Sequence, residues 1–198
     1  MAENAAREKA TPDVATDSPG ARLTSLAAAV GAVKLRGPAP VDKWHPAYCG
    51  EIDLRIAADG TWFYAGTPIA RPAMVQLFAG IMRKDPERYV LVTPVECVGI
   101  AVEDVPFVAV AMEEKDGVLR FVTNLGDEVE AGDAHPMRFG VDPDGGVKPY
   151  VHIRGGLEAR LTRTLAIELL DRAEERDGTL GIASGGSFFA IGPAEAQA

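Results

Sequence analysis

The chain has 198 residues, of which 47% are apolar and 25% charged. Its 29 carboxylates against 20 Lys and Arg leave a formal net charge of −9, which excludes a protein that wraps a polyanion, because cations must displace the counterions of the phosphates. The length suits one large domain or two small ones with a sizeable core.

Residues 1–20 are rich in Ala, Thr, Asp, Glu and Pro without an apolar period, and read as a flexible arm. "RLTSLAAAVGAVKL" then sets Leu23, Leu26, Ala27 and Val30 at helical spacing, with Thr24 or Ser25 as cap and Gly37-Pro38 as stop. The Pro-broken connector "PAPVDKWHPAYCG" follows with Trp44, His45, Tyr48 and Cys49. Residues 21–48 are therefore expected to form an N-terminal helix and connector.

In "EIDLRIAADGTWFYAGTPI", Ile52, Leu54 and Ile56 alternate with polar neighbours, which is strand patterning. Asp59-Gly60 supplies a hairpin turn, and Trp62 to Tyr64 begin the return strand. Pro72 suits the first position of a helix, whose apolar face is expected to hold Met74, Val75, Phe78, Ile81 and Met82. "RYVLVTP", "VGIAVED", "VPFVAVAMEE" and "VLRFVTN" read as strands, with Asp116-Gly117 as a second hairpin signal.

The pattern returns near the carboxyl end. Met137, Phe139 and Val141 sit at strand spacing before a turn at Asp144-Gly145, and Val147, Val151 and Ile153 lie on the return strand. A long helix is expected from Gly155-Gly156, with Leu157, Leu161, Leu165 and Leu169 four apart and Glu168 placed to pair with Arg172. "GTLGIAS" and "SFFAIG" close the chain as strands around Ser184-Gly185-Gly186-Ser187.

The order strand, Asp-Gly turn, strand, helix, strand thus occurs twice. Superposing the turns aligns Ile52, Leu54 and Ile56 with Met137, Phe139 and Val141, and brings Ile69 over Ile153. The expected fold is α+β, with two structurally repeated β-rich halves that each carry a packed helix. The first repeat domain spans 49–133, the second 134–192, and 193–198 form a tail. Neither half has enough strands to shield both sheet faces, so the two pack together and leave a seam.

Several chemistries fit poorly. There is no Walker loop and no G-x-G-x-x-G between strand and helix. "SGGS" at 184–187 precedes a strand, where a nucleophile elbow precedes a helix. Cys49 could pair with His45 or His152, but a free Cys is more often a small hydrophobe. Glu103 and Asp104 are adjacent on a strand and so face opposite ways, against a joint acid–base role. The set Glu103, Asp104, Asp127, Glu128, Glu130 and Asp133 could hold a hard cation, yet reads first as a solvated acidic rim. No catalytic motif, metal or cofactor is expected.

An anion site fits better. Helix amino-termini present free N–H groups and partial positive charge. One expected start has Arg154 and His152 beside Gly155-Gly156, and its counterpart is Arg71-Pro72. Arg55, with Asp53, lies on the strand face opposite Ile52, Leu54 and Ile56 and can point into the seam. Trp62 and Tyr64 share one face and can stack on a base, while Thr93 and Glu96 bracket Pro94 at a strand end. The candidate ligand-binding set is therefore Arg55, Trp62, Tyr64, Arg71, Thr93, Glu96, His152 and Arg154. Each also has a structural alternative: a capped helix, a solvated strand face, a core aromatic pair, or a self-bonded turn.

The strings "DGTWFYAGTPIARP", "YVLVTPVE" and "VEDVPF" as a set resemble a bacterial family called domain of unknown function 1285. The resemblance covers roughly residues 40–192 and is densest over 49–110. It implies a duplicated α+β core whose C-terminal half is superficially similar to pleckstrin-homology-like domains. It also implies a ligand site between the halves for a nucleotide-like molecule, and a role in signalling.

Two readings follow. The first is a small-molecule-binding regulatory protein with an anionic, nucleotide-like ligand at the interface of two repeated domains. The second is a protein–protein interaction module without a small ligand, docking through a sheet edge, where Pro149 is expected. No nucleic-acid or membrane partner is expected, since no window approaches the ~18 apolar residues of a spanning helix. Without an apolar signal core or a disulfide framework, the expected location is cytoplasmic. The charge is uneven: residues 103–133 hold nine carboxylates and only Lys115 and Arg120. A chain can repel nucleic acid as a whole and still hold one small anion elsewhere.

Overall fold

The computed structural model describes residues 39–142 and 144–194, together with Ala28, which is helical and exposed. The expected arm, the rest of the first helix and the last four residues of the tail lie outside the described residues. A 3-10 turn at Val41–Lys43 opens the described chain.

The first sheet has the spatial order β3-β2-β1-β6-β5-β4. Its strands are β1 (Tyr48–Ile56), β2 (Trp62–Tyr64), β3 (Thr67–Pro68), β4 (Met82–Asp85), β5 (Arg88–Val92) and β6 (Cys97–Val102). Helix α1 (Pro72–Gly80) connects β3 to β4, with Pro72 in its first turn and extended Arg71 as N-cap. The β1–β2 hairpin forms as the sequence predicts: Asp59 accepts from the Thr61 N–H at 2.8 Å, and Gly60 takes φ +87°. β1 and β6 pair in parallel and join the two three-stranded meanders.

The second sheet has the order β10-β11-β12-β7-β8-β9. It comprises β7 (Phe107–Lys115), β8 (Val118–Thr123), β9 (Glu128–Glu130), β10 (Met137–Val141), β11 (Val147–Arg154) and β12 (Leu157–Leu161). Asp116 and Gly117 both have positive φ (53° and 75°), as a two-residue hairpin turn of this hand requires. Helix α2 (Arg163–Leu170) is capped by Thr162, whose hydroxyl accepts from Leu165 N–H, and Arg172 pairs with Glu168 at 3.1 Å. A third sheet follows, of β13 (Glu174–Arg176), β14 (Thr179–Ser184) and β15 (Ser187–Pro193).

Three strands, a helix and three strands therefore occur twice, as β1–β3, α1, β4–β6 and as β10–β12, α2, β13–β15. The chain consists of two β-rich repeated halves with a short helix each. The second unit is not closed like the first, because β12 pairs in parallel with β7 while β13–β15 keep to their own sheet.

Four expectations need correction. No helix starts at Gly155-Gly156: both glycines have positive φ (51° and 76°) and turn the chain from β11 into β12. Leu157, Ala159 and Leu161 are buried on alternate positions of a strand, and α2 begins only at Arg163. Met82 belongs to β4 rather than to the face of α1, which ends at Gly80. Pro149 lies in β11, between β10 and β12, and not at an edge. Its missing N–H is tolerated because the β11–β12 pairing stops at Tyr150↔Arg160 and does not include Pro149. Likewise Ile153 lies in the second strand of its unit whereas Ile69 follows the third, so they are not equivalent. The short strands β3, β4, β9 and β13 are additional to the elements read from sequence.

One core runs through both halves. Phe78 of α1 and Leu54 and Ile56 of β1 belong to the same buried cluster as Phe107, Phe121, Leu157 and Leu169. Each such side chain contributes about 1.5–3 kcal/mol on burial. The Ser184–Ser187 turn is pinned to this body. The Ser184 hydroxyl, 1% exposed, accepts from Leu119 N–H at 2.9 Å and donates to the Ala131 carbonyl at 2.8 Å.

Candidate functional site

The short link between the sheets carries two carboxylates that face opposite ways. Glu103 pairs with Arg55 of β1 and accepts from Ala58 N–H at 2.9 Å, so it holds the first hairpin. Asp104 turns to the second half, where it accepts from the Tyr150 hydroxyl at 2.9 Å and pairs with Lys148 at 2.8 Å and Arg160 at 3.6 Å. Arg160 in turn donates to the Ala58 carbonyl at 2.7 Å, back across the seam. Burial pushes the Tyr150 phenol up, and the hydrogen bond to Asp104 raises Lys148. These two acids are structural clasps and do not converge on a shared proton.

The Gly155-Gly156 turn lies where β11 and β12 meet the first half, and a cleft opens on each side of it. One, of about 210 Å³, is lined by Gly80, Met82 and Arg83 of the first half and by Arg154, Gly155 and Leu157 of the second. Both of its guanidiniums are committed. Arg83 donates to Asp85 at 2.7 Å and to the Trp44 carbonyl at 2.8 Å, and Asp85 holds it above its ordinary value. Arg154 pairs with Asp127, donates to the Ala79 carbonyl at 3.0 Å, and lies 5.0 Å from the Phe107 ring centre.

The other cleft, of about 440 Å³, is lined by Lys84 of β4 and by Pro136, Met137, Arg138, His152, Gly156 and Glu158 of the second half. Arg138 is bidentate to Glu158 at 2.6 and 2.7 Å and stacks 3.8 Å over Tyr150. His152 contacts the Ala134 carbonyl through Nδ1 at 3.3 Å and accepts from Gly156 N–H through Nε2 at 3.1 Å. That pattern corresponds to a neutral ring with the proton on Nδ1. Lys84 packs its stem near Gly156, and its ammonium lies 5.4 Å from the Tyr89 ring centre. Among the described residues Lys84 has no carboxylate partner.

The residues expected to form one site are thus dispersed. His152 and Arg154 do reach the seam, on opposite sides of the glycine turn. Arg71 caps α1 from an exposed position, and the second helix start is Thr162-Arg163, away from Arg154. Arg55 is held by Glu103 and stacks 4.3 Å from Phe63. Trp62 is 2% exposed and belongs to the core, where its Nε1 has no hydrogen-bond partner among the described residues; Tyr64 packs against the same core. Thr93 closes its own turn, accepting from Glu96 N–H at 3.0 Å and donating to the Glu96 carbonyl at 3.3 Å.

Lys84 and Arg138 in this cleft, like Arg83 and Arg160 elsewhere on the seam, are cations that the sequence reading missed. Gly80 was the available signal, because a glycine ending the apolar run of α1 frees "MRKD" to be a strand. The acidic set is likewise distributed among partners: Asp127 on Arg154, Glu130 on Arg120 at 2.8 Å, Asp133 on Ser187 at 2.5 Å. No cluster of three or more His, Cys, Asp or Glu suited to a metal ion occurs among the described residues. Cys49 donates to the Ala47 carbonyl at 3.3 Å rather than to a histidine. No described helix is long and apolar enough to cross a membrane.

Comparison with known proteins bears on this architecture. Residues 39–105 match the model of the N-terminal domain of the domain of unknown function DUF1285, and residues 106–191 match that of its C-terminal domain. A crystal structure of a DUF1285 family protein from Silicibacter pomeroyi is 51% identical, with a TM-score of 0.80 over 86% of this chain and 96% of that one. Another DUF1285 family protein, from Shewanella baltica, is 27% identical over 61% of this chain and 91% of that one, with a TM-score of 0.49. No curated protein matches. Both family models in chain order, and a relative identical at half its positions, show that this chain belongs to the bacterial DUF1285 family, with its N- and C-terminal domains as the duplicated units.

Proposed function

We propose that the chain is a small-molecule-binding regulatory protein that takes an anionic, nucleotide-like ligand in the cleft between Lys84 and the β10–β12 face. One observation carries the reading: Lys84 of the first half, lacking a carboxylate partner among the described residues, faces His152 and Gly156 of the second across that cleft. A ligand there touches both halves, so its binding energy acts on how they sit together, which suits a regulator in signalling. The volume of about 440 Å³ falls within the range of small-molecule sites, roughly 300–1,000 Å³. The neighbouring cleft of about 210 Å³ falls below it. Met137 and Pro136 and the Arg138–Glu158 ion pair complete the wall, so that Lys84 supplies its net positive charge. The likeness of the C-terminal half to pleckstrin-homology-like domains is part of the same proposal, supported by a sheet, a helix and a small second sheet in one unit.

Isothermal titration of the full chain with inorganic phosphate and with adenosine and guanosine mono- and triphosphates tests the reading. The expected affinity is on the order of micromolar, at least tenfold weaker in Lys84→Glu and unchanged in Arg71→Ala. No binding below millimolar, or binding indifferent to Lys84→Glu, overturns it.

A further inference from the structure

Of the three histidines in the chain, His152 lines the cleft beside Lys84, and its ring is engaged at both nitrogens. A carbonyl only accepts, so Nδ1, 3.3 Å from the Ala134 carbonyl, carries a proton. Nε2 carries none, because it accepts from the Gly156 N–H at 3.1 Å. A proton added at Nε2 would set one N–H against the other. The ring can take a charge only where both donors find another acceptor.

The charged and titratable groups around the ring come from several elements. Lys84 stands across the cleft on β4. Arg138 of β10 and Glu158 of β12 are bidentate to each other and cancel. His135, in the loop between β9 and β10, stacks on His152 with ring centres 5.8 Å apart, and donates from Nδ1 to the His152 carbonyl at 3.1 Å. Arg154, two residues along β11, pairs with Asp127. The cleft thus holds one uncompensated cation, Lys84, next to a donor and an acceptor that are spent on each other.

We propose that an anion bound in this cleft draws one proton from solvent onto His152. The inference rests on the anion-binding reading above. A phosphate oxygen beside Lys84 accepts from Nε2–H and from the Gly156 N–H alike, so two groups that would clash as donors share one charged acceptor. The Gly156–Nε2 hydrogen bond breaks, the added proton comes from the buffer, and Nδ1–H stays on the Ala134 carbonyl. A second proton on the stacked His135 would meet a like charge, so uptake is limited to one. The ligand class narrows to an oxyanion with several acceptor oxygens, as a terminal phosphate has. A neutral nucleoside offers no such exchange. Binding tightens as pH falls, because the liganded state holds one proton more.

Nitrogen NMR and calorimetry of the full chain with adenosine monophosphate test the inference. A pH of 7.5 lies above the ordinary imidazole value of about 6.5 and the second phosphate value of about 6. Saturating nucleotide is expected there to convert His152 Nε2 from an unprotonated to a protonated nitrogen. Titrations in buffers of different ionisation enthalpy should return about 0.5–1 proton taken up, with affinity falling about three- to tenfold from pH 7 to pH 8. His152→Gln, whose carboxamide can accept from Gly156 but takes no proton, should bind without uptake and change less than about twofold over that range. Binding without uptake, or uptake that persists in His152→Gln, overturns the inference and leaves the anion reading standing. An Nε2 that stays unprotonated in the saturated parent overturns it whatever the variant does. No binding below millimolar overturns both.

Discussion

Arg154 of the second half donates to the carbonyl of Ala79, 3.0 Å away in the last turn of α1. Its other Nη holds Asp127 in the β8–β9 turn. A guanidinium at a helix carboxyl end meets orphan carbonyls and the negative end of the helix dipole. Its side chain is 24% exposed and that of Asp127 21%, so solvent replaces the lost partners only in part. Arg154→Ala is expected to lower unfolding stability by about 2–3 kcal/mol, measured by urea denaturation. Arg71→Ala, on an exposed cap, should stay within about 0.5 kcal/mol of the parent.

Ser184 offers a second test of a polar clasp. Removing its hydroxyl leaves Leu119 N–H and the Ala131 carbonyl without a partner in a site that is 1% exposed. Ser184→Ala should cost about 1–3 kcal/mol. Faster exchange of the Leu119 amide should accompany that loss.

Two glycines of the seam should respond oppositely to alanine. A Cβ on Gly60, at φ +87°, would stand 2.8 Å from Val108 Cγ2 and 3.2 Å from Asn124 Nδ2. Gly60→Ala is expected to destabilise by more than about 1 kcal/mol. Gly80 ends α1, and a Cβ there meets none of the described residues within 4 Å. Gly80→Ala should therefore raise the midpoint of thermal unfolding, by about 0.5–1 kcal/mol in stability.

Lys148 and Tyr150 predict an alkaline loss of stability. The hydrogen bond to Asp104 comes first among the causes raising Lys148 above 10.5, and burial first among those raising Tyr150 above 10.0. In both cases the folded state holds its proton longer than the unfolded chain does. Their contribution is therefore complete below those ordinary values and declines as pH rises through the folded ones. Urea midpoints should fall above about pH 10, and less steeply in Tyr150→Phe. Subtracting the tyrosinate absorbance of Tyr150→Phe from that of the parent should reveal one phenol titrating later than ordinary tyrosine. A difference titrating at the ordinary value would show that Tyr150 is not buried as described.

Local signals carried most of the fold. Asp116-Gly117 announced a two-residue hairpin turn, in which both residues take positive φ, and Asp59-Gly60 a five-residue loop between Ile56 and Trp62 in which Gly60 does; both requirements are local. Leu157, Leu161, Leu165 and Leu169 misled because a spacing of four satisfies a helix and every second interval of a strand alike. The decisive residues were Glu158 and Arg160, which alternate with Leu157, Ala159 and Leu161. Positive φ at two successive glycines then marks a turn, where a helix start was expected. The site was less legible. Whether Arg154 is free or tied to Asp127 depends on a partner 27 positions away, and no local pattern encodes that.

The two sheets also differ in when they can be completed during synthesis. Parallel pairing of β1 with β6 closes the first sheet with residues up to Val102, so that sheet can form while the rest is still being made. The second waits for β12, since β7 finds its parallel neighbour only at Ala159–Leu161. Until then Phe107 and Ala109, both fully buried in the finished molecule, lack that neighbour. A strand left open in this way is a sticky edge, and pausing of the ribosome between residues 110 and 160 is where this chain is most exposed to aggregation.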